Sequence, residues 1–257
     1  MSTQLECKLD IPKIDNVCQG EEIFAIEKDG KREEIRVHEY DKIYNVPGLY
    51  EHLFYDKLKC QSPKVVCSLL EQQLNGQLSG NGKISVLDLG AGNGMVGEEL
   101  KQIGADEVIG IDIIEEAATA TERDRPGVYE KYYIADLTDL DDDVERDLAN
   151  SGLNCLTIVA ALGFEDIPPE AFATGYNFVE SSGLIAFNIK ESFVNDGDET
   201  GFSRLITKMI DSDVMDLKAK ERYCHRYCMD GRPLYYYAMV GEKNADITQD
   251  LLAEIGC

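Results

Sequence analysis

Residues 84–97 read ISVLDLGAGNGMVG, and the fold follows from how this stretch is divided. Ile84 to Leu89 form an apolar run of buried-strand length, and a helix-like segment begins near residue 94. The glycines between them let the backbone turn sharply and let a ligand approach it closely. Two spacings overlap here. From Gly92 the chain reads G-N-G-M-V-G, which fits the dinucleotide fingerprint G-x-G-x-x-G. From Asp88 it reads D-x-G-x-G-x-G, an earlier turn headed by a carboxylate.

Charge separates the two readings. A dinucleotide brings a pyrophosphate to the helix N-terminus, where N–H groups and the helix dipole favour anions. A carboxylate at Asp88 opposes that anion. S-adenosylmethionine (SAM) carries an ammonium and a sulfonium, and an acid at the strand's end suits both. The loop therefore favours SAM over NAD.

Outward from the loop the pattern is regular. Apolar runs at 84–89, 107–112, 131–135, 155–161 and 183–189 read as strands. Helix-like segments lie near 94–103, 114–122, 142–150, 168–178 and 201–212. Strand–helix alternation implies parallel pairing, with helices on both faces of the sheet. The rhythm then changes to two strand-like runs, 216–227 and 234–240, joined by the turn residues Met229-Asp230-Gly231-Arg232-Pro233. The expected fold is α/β: a three-layer sandwich whose seven-stranded, mostly parallel sheet ends in an antiparallel C-terminal hairpin. Before the core, Tyr40 to Leu74 has helical periodicity broken by Pro47 and Pro63, and a hairpin signal centres on Asp29-Gly30. The expected divisions are an N-terminal extension and helical lid over 1–75, a core over 76–243 and a tail over 244–257.

Composition bounds the partners. The 49 acidic against 25 basic residues give a net charge of −24, which repels a phosphate backbone and argues against nucleic acid. The first ten residues show neither a basic nor an apolar leader segment. The longest apolar-rich run, 155–164, is far shorter than the roughly 20 residues of a membrane span. A cytoplasmic monomer with free thiols and no membrane partner is the expectation. Cys224-His225-x-x-Cys228 lacks a second ligand pair, so no metal is expected there.

Two further acids extend the cofactor reading. Asp112 ends the second strand, about 20 residues beyond the glycines, where a carboxylate accepts ribose hydroxyl protons. Asp136 ends the third strand, placed to accept from an adenine amino group, with Leu137 to cover the ring. Three acids at the ends of successive parallel strands form a constellation at the edge where open α/β sheets bind ligands.

On these residues the chain resembles the class I SAM-dependent methyltransferases. Asp88-x-Gly90-x-Gly92-x-Gly94 is similar to their first motif, Asp112 to their ribose acid and Ala135-Asp136-Leu137 to their adenine motif. Among them it resembles the small stand-alone members, in particular the Williams–Beuren-region methyltransferase-like group. The resemblance implies a cofactor site of Asp88, Gly90, Ala91, Gly92, Asn93, Gly94, Asp112, Ile113, Asp136 and Leu137. It places Ala160 against the amino-acid end of SAM and brings lid tyrosines, Tyr44 and Tyr50 among the four at 40, 44, 50 and 55, to the same end. The product would be S-adenosylhomocysteine. One departure is the fourth strand, Asn154-Cys155-Leu156-Thr157, which lacks the aromatic–Asp start of many members.

SAM is an activated electrophile, so catalysis requires mainly positioning and exclusion of water. A base is needed only where the acceptor must lose a proton. His52, in the lid, is the candidate; His38 and His225 are the other histidines. Phe164, Phe193 and Tyr235 to Tyr237 are candidates for an apolar acceptor pocket. The expected activity is methyl transfer to O, N or S of a small molecule. The alternative is a methyltransferase-like partner subunit without turnover. An NAD-dependent oxidoreductase is disfavoured by Asp88, by the hairpin end and by the lack of a Tyr-x-x-x-Lys pair.

Overall fold

The computed structural model describes residues 5, 7–12, 19–77, 82–162, 166–194 and 201–256. The chain opens with three strands, β1 (Lys8–Asp10), β2 (Ile23–Lys28) and β3 (Lys31–Arg36), paired antiparallel in that order. Asp29 (φ +53°) and Gly30 (φ +73°) make the tight β2–β3 turn, both in the left-handed region that a type I′ turn requires. The sequence signalled this hairpin; β1, which pairs Leu9 with Ile26, extends it to a sheet.

The lid follows as α1 (Tyr40–Asn45), α2 (Leu49–Glu51) and a π-helical turn over His52–Lys57. Phe24 and Ile35 of the small sheet, with Val37 just after it, pack with Ile43, Leu49, Leu53 and Phe54 of these helices in a core of their own. Helix α3 (Ser62–Gln77) leaves that unit and lies along the main sheet.

The main sheet holds β4 (Ser85–Leu89), β5 (Glu107–Asp112), β6 (Lys131–Ile134), β7 (Cys155–Ile158), β8 (Leu184–Lys190), β9 (Met215–Tyr227) and β10 (Pro233–Lys243). Its order is β6-β5-β4-β7-β8-β10-β9. The first five pair in parallel, and β10 runs antiparallel to both β8 and β9. This is the seven-stranded sheet with a terminal hairpin that the sequence predicts. Helices α4 (Met95–Gln102), α5 (Glu115–Asp124), α6 (Asp142–Ala149), α7 (Pro169–Asn177) and α8 (Phe202–Asp211) connect the strands. A last helix, α9 (Gln249–Ile255), occupies the segment read as a tail, and Leu251, Leu252 and Ile255 are buried in the core.

Side-chain alternation assigns the two faces. Leu87, Leu89, Ile109, Ile111, Leu156, Ile158, Ile185 and Phe187 meet α6, α7, α8 and α9. Val86, Val108, Cys155, Ala186 and Ala238 meet α3 and α4. Asp88, Thr157 and Asn188 share the second face by the same parity, all three fully buried, and are its polar exceptions. Each such group needs a partner, and these partners shape the site. The described cysteines are free thiols; Cys18 and Cys257 lie outside the described residues. Among the described residues, no helix is long and apolar enough to cross a membrane.

Candidate functional site

Strand β4 lies between β5 and β7, so the chain's crossovers leave it in opposite directions and a crevice opens at its C-terminal end. There the structure has a cleft of about 490 Å³. Gly90, Asp112, Ile113, Asp136, Leu137 and Ala160 line it, with Tyr40, Tyr44 and Tyr50 over it from the lid. The acids that end β5 and follow β6 thus meet the glycine turn at one opening.

The loop is held from several sides. Gly90 and Ala91 donate their N–H groups to the carbonyl of Ile111, at 2.9 and 3.2 Å. The Gly92 N–H donates to Asp112 Oδ2 at 2.9 Å, and Ile114 N–H to Asp112 Oδ1 at 3.0 Å. The Gly92 carbonyl accepts from Thr121 Oγ1 at 2.7 Å and from Tyr132 Oη at 2.8 Å. Gly92 itself has φ +54°, and a Cβ on it would stand 2.6 Å from Tyr44 Oη. The lid tyrosine rests where only a glycine leaves room. Gly94 caps α4 in the left-handed conformation.

The remaining residues expected at a cofactor divide by exposure. Asp136 is exposed, and its Oδ1 accepts from the N–H and the hydroxyl of Thr138. Leu137 is buried, whereas Ile113 stands 61% exposed beside the cleft, an apolar side chain held at a ligand-sized opening. Ala160 adopts φ +59°, rare for a residue with a Cβ, and its N–H donates to Asn188 Oδ1 at 2.6 Å.

Asp88, expected as a cofactor-site acid at the strand's end, sits deeper. It is 0% exposed and lines neither the cleft nor the chamber described below. Tyr129 Oη and Thr157 Oγ1 each donate to its carboxylate at 2.7 Å. Burial pushes its pKa up to about 7, against the two hydroxyl bonds, which lower it, and with the nearby Asp112 charge, which raises it. Asp88 braces the loop from beneath. Burial also raises Asp112, opposed by the Ile114 and Gly92 N–H groups.

Beyond the cleft, and sharing Tyr40, Tyr44, Tyr50, Ala160 and Asp166 with it, is a narrower chamber of about 60 Å³. Its wall includes Phe54, Tyr55, Cys60, Asn93, His225 and Tyr236. Tyr44 and Tyr50 are tilted against each other at 5.0 Å between ring centroids, and Tyr50 against Phe54 at 4.7 Å. His38 enters the wall beside Asp166, Nδ1 to Oδ2 3.7 Å. The lid is tied to the core by Arg123, which donates to the Tyr44 carbonyl at 2.9 Å, and by Arg125, which bridges Glu51 and Glu98 at 2.7 and 3.0 Å.

His52, the expected base, is turned away from this chamber. Its Nδ1 pairs with Asp56 Oδ2 at 3.0 Å across one turn, and it lines neither space. The Asp56 side chain is 70% exposed, so the pair lies toward solvent. The histidines at the chamber are His38 and His225. Of the expected acceptor-pocket aromatics, Tyr236 lines the chamber. Arg222 and Lys220 lie over the rings of Tyr235 and Tyr237, at 3.8 and 4.2 Å. Those two tyrosines and Phe193 line neither space. Phe164 lies outside the described residues.

The residues present fit an S-adenosyl group. The Asn93 side chain is 2% exposed, lines the chamber, and its Nδ2 donor has no partner among the described residues. A buried amide N–H without an acceptor is costly, and the carboxylate of an amino-acid tail would satisfy it. Asp112 and Asp136 would supply acceptors for ribose and adenine, and Ile113 and Leu137 an apolar cover.

The fold is that of the class I SAM-dependent methyltransferases. It is similar to a SAM-dependent methyltransferase from Clostridium acetobutylicum, with TM-score 0.53 and 12% identity over 80% of this chain and 99% of that one. It is also similar to a SAM-dependent methyltransferase from Anabaena variabilis, with TM-score 0.51 and 13% identity over 80% of this chain and 93% of that one. At such identities the likeness is one of fold. No protein-family model matches the chain, and no curated protein matches its sequence.

Proposed function

We propose that this protein is a methyltransferase that binds SAM in the 490 Å³ cleft and methylates O, N or S of a small molecule. The observation that carries the reading is the Asp112 carboxylate. It stands at the mouth of the cleft, anchored to the glycine loop through the Gly92 N–H and facing the opening shared by Ile113 and Asp136. Bound there, SAM would supply a methyl group already activated as a sulfonium substituent. The chain's own part is to hold and to exclude. Asp112 and Asp136 accept from the nucleoside, Asn93 donates to the amino-acid tail, and the tyrosines at 40, 44 and 50 close over the junction of cleft and chamber. Aromatic faces beside a sulfonium are electrostatically favourable.

The narrow chamber supports a small acceptor group, and the net charge of −24 supports one other than nucleic acid. We take the protein to be a cytoplasmic monomer, akin to the small stand-alone methyltransferases of the Williams–Beuren-region type. Isothermal titration with S-adenosylhomocysteine, with NAD in parallel, tests the cofactor. Micromolar binding of the first alone is expected. Binding of NAD alone, or of neither, would sink the proposal.

A further inference from the structure

One wall of the chamber is backed by a chain of hydrogen bonds whose direction can be worked out bond by bond. It begins at Ala160, whose backbone N–H can only donate. Asn188 Oδ1 accepts that proton at 2.6 Å, which fixes the orientation of the buried Asn188 amide. Its Nδ2 is therefore the donor on the other side, to Tyr223 Oη at 2.6 Å and to Ser62 Oγ at 3.1 Å. Tyr223 and Ser62 are 2.7 Å apart. Among the described residues the Tyr223 hydroxyl has only Asn188 and Ser62 as partners, and with Asn188 donating to it, it directs its own proton to Ser62. Ser62 Oγ then accepts twice, from Asn188 and from Tyr223, and a hydroxyl oxygen has two lone pairs. Its single proton goes to His225 Nδ1, at 2.5 Å. The Cys60 sulfur lies 4.0 Å from the same nitrogen, and burial raises its pKa and keeps it a neutral thiol, a weak competitor for that proton.

His225 Nδ1 is thus an acceptor, and the ring proton resides on Nε2. Protonating Nδ1 as well would require Ser62 to accept a third time, or to turn its proton to Tyr223 and leave that hydroxyl's proton without an acceptor, so the network disfavours the charged ring. Burial and the adjacent Arg226 act in the same direction, lowering the His225 pKa well below its usual value. The ring lines the chamber, with Tyr236 packed against it at 4.1 Å between centroids. With Nδ1 taken, Nε2–H is what it offers there.

The geometry points to His225 as a fixed hydrogen-bond donor that receives an uncharged ligand group with an accepting oxygen or ring nitrogen, rather than as a base. The charged groups of the same wall are already engaged: Asp166 stands beside His38 at 3.7 Å. Arg226, the one lysine or arginine among the described lining residues, is already engaged by the Tyr227 carbonyl at 2.9 Å and by Glu22 at 2.6 Å. At His225 an anion therefore finds no open cation, while a cation would face the Nε2–H dipole; the Asn93 amide, the donor for an amino-acid tail, is a separate group of the wall. Assigning this ligand as the methyl acceptor rests on the methyltransferase reading; the donor and its tautomer do not.

The test uses the full chain with ¹⁵N-labelled histidine, and no SAM. Long-range ¹H–¹⁵N spectra at pH 7, assigned with His225→Gln, should show Nε2 protonated and Nδ1 bare. Ser62→Ala should lose that preference and Ser62→Thr should retain it, which a merely structural role for Ser62 would not produce. Acetamide, acetate and acetamidinium are near-isosteric neutral, anionic and cationic probes. Acetamide alone should move the His225 Nε2–H resonance saturably, about tenfold more weakly in Ser62→Ala, the loss expected for one hydrogen bond. An Nδ1–H tautomer or a doubly protonated ring would overturn the proposal. So would a resonance that acetamide leaves unmoved, or one that acetate or acetamidinium moves as strongly. Failure to bind S-adenosylhomocysteine would instead remove the acceptor role and leave the donor site standing.

Discussion

The Gly92 N–H and the Asp112 carboxylate are joined at 2.9 Å, so the turn after the first core strand is fastened to the end of the second. A carboxylate oxygen retains further lone-pair capacity after one such bond. Asp112 can therefore hold the loop and still accept from a ribose. Asp112→Ala loses both functions, together with the Ile114 bond. Affinity for S-adenosylhomocysteine should fall by at least thirtyfold, on the order of 2 kcal/mol. The far-ultraviolet circular dichroism should stay unchanged, because Asp112 ends its strand. Titration of the variant at parental affinity would refute the ribose assignment.

Asp136 should matter less. It is exposed, and its partners are the backbone and hydroxyl of Thr138, two residues on. An acceptor facing water exchanges one hydrogen bond for another, so its net contribution is about 1 kcal/mol. Asp136→Ala is expected to weaken S-adenosylhomocysteine roughly fivefold. Calorimetry on both variants should rank Asp112 well above Asp136; the reverse order would mean that adenine is bound elsewhere.

Gly92 and Tyr44 should be coupled. A Cβ at residue 92 meets Tyr44 Oη at 2.6 Å, whereas the next ring atom, Cζ, stands at 3.5 Å. Removing the hydroxyl relieves most of the overlap. Gly92→Ala alone should destabilise by about 2 kcal/mol, from overlap and from the left-handed backbone that an L-residue resists. Tyr44→Phe should return roughly 1 kcal/mol of this in the double variant. Urea unfolding of the four proteins gives the cycle, and strict additivity would mean that Tyr44 lies elsewhere in solution.

How far the sequence was legible depends on the reach of each interaction. The sheet and its hairpin were readable because burial of β4, β5, β7 and β8 leaves continuous apolar runs, and the β9–β10 turn carries its own residues. Asp112 was readable as the last residue of its strand. Asp88 was read as a ligand-facing acid at the strand's end, but it is the last residue but one of β4 and its side chain is held within the sheet. Parity then turns Asp88 into the sheet's inner face, opposite Thr157, a register that no local pattern reveals. His52 was chosen for its place in the lid, and a position in the chain does not say which side of the lid a side chain takes; here it pairs with Asp56 and lines neither space. Ser62 and His225 are 163 positions apart, and their bond exists only once α3 and the hairpin are docked. Glu22 and Arg226, an ion pair 2% exposed on both sides, were hidden for the same reason.

The buried Asp88 gives the fold a pH signature. Its pKa is raised by burial to about 7 in the folded chain, against 3.8 for an unperturbed carboxyl. Between these values the folded protein retains a proton that the unfolded chain has lost. The contribution of this group to stability is therefore complete below pH 4. It declines as pH rises through the window, by up to about 1.4 kcal/mol per unit, and is flat above it. The many surface carboxylates titrate too, so the readout is the difference between the parent and Asp88→Asn. Asparagine has nearly the same shape and no charge, and the rotatable hydroxyls of Tyr129 and Thr157 can reorient to meet its amide. Urea unfolding at pH 4.5, 6 and 7.5 should show the variant gaining on the parent at each step. A constant difference across that range would mean that Asp88 is ionised throughout, with Tyr129 and Thr157 stabilising its charge rather than sharing its proton.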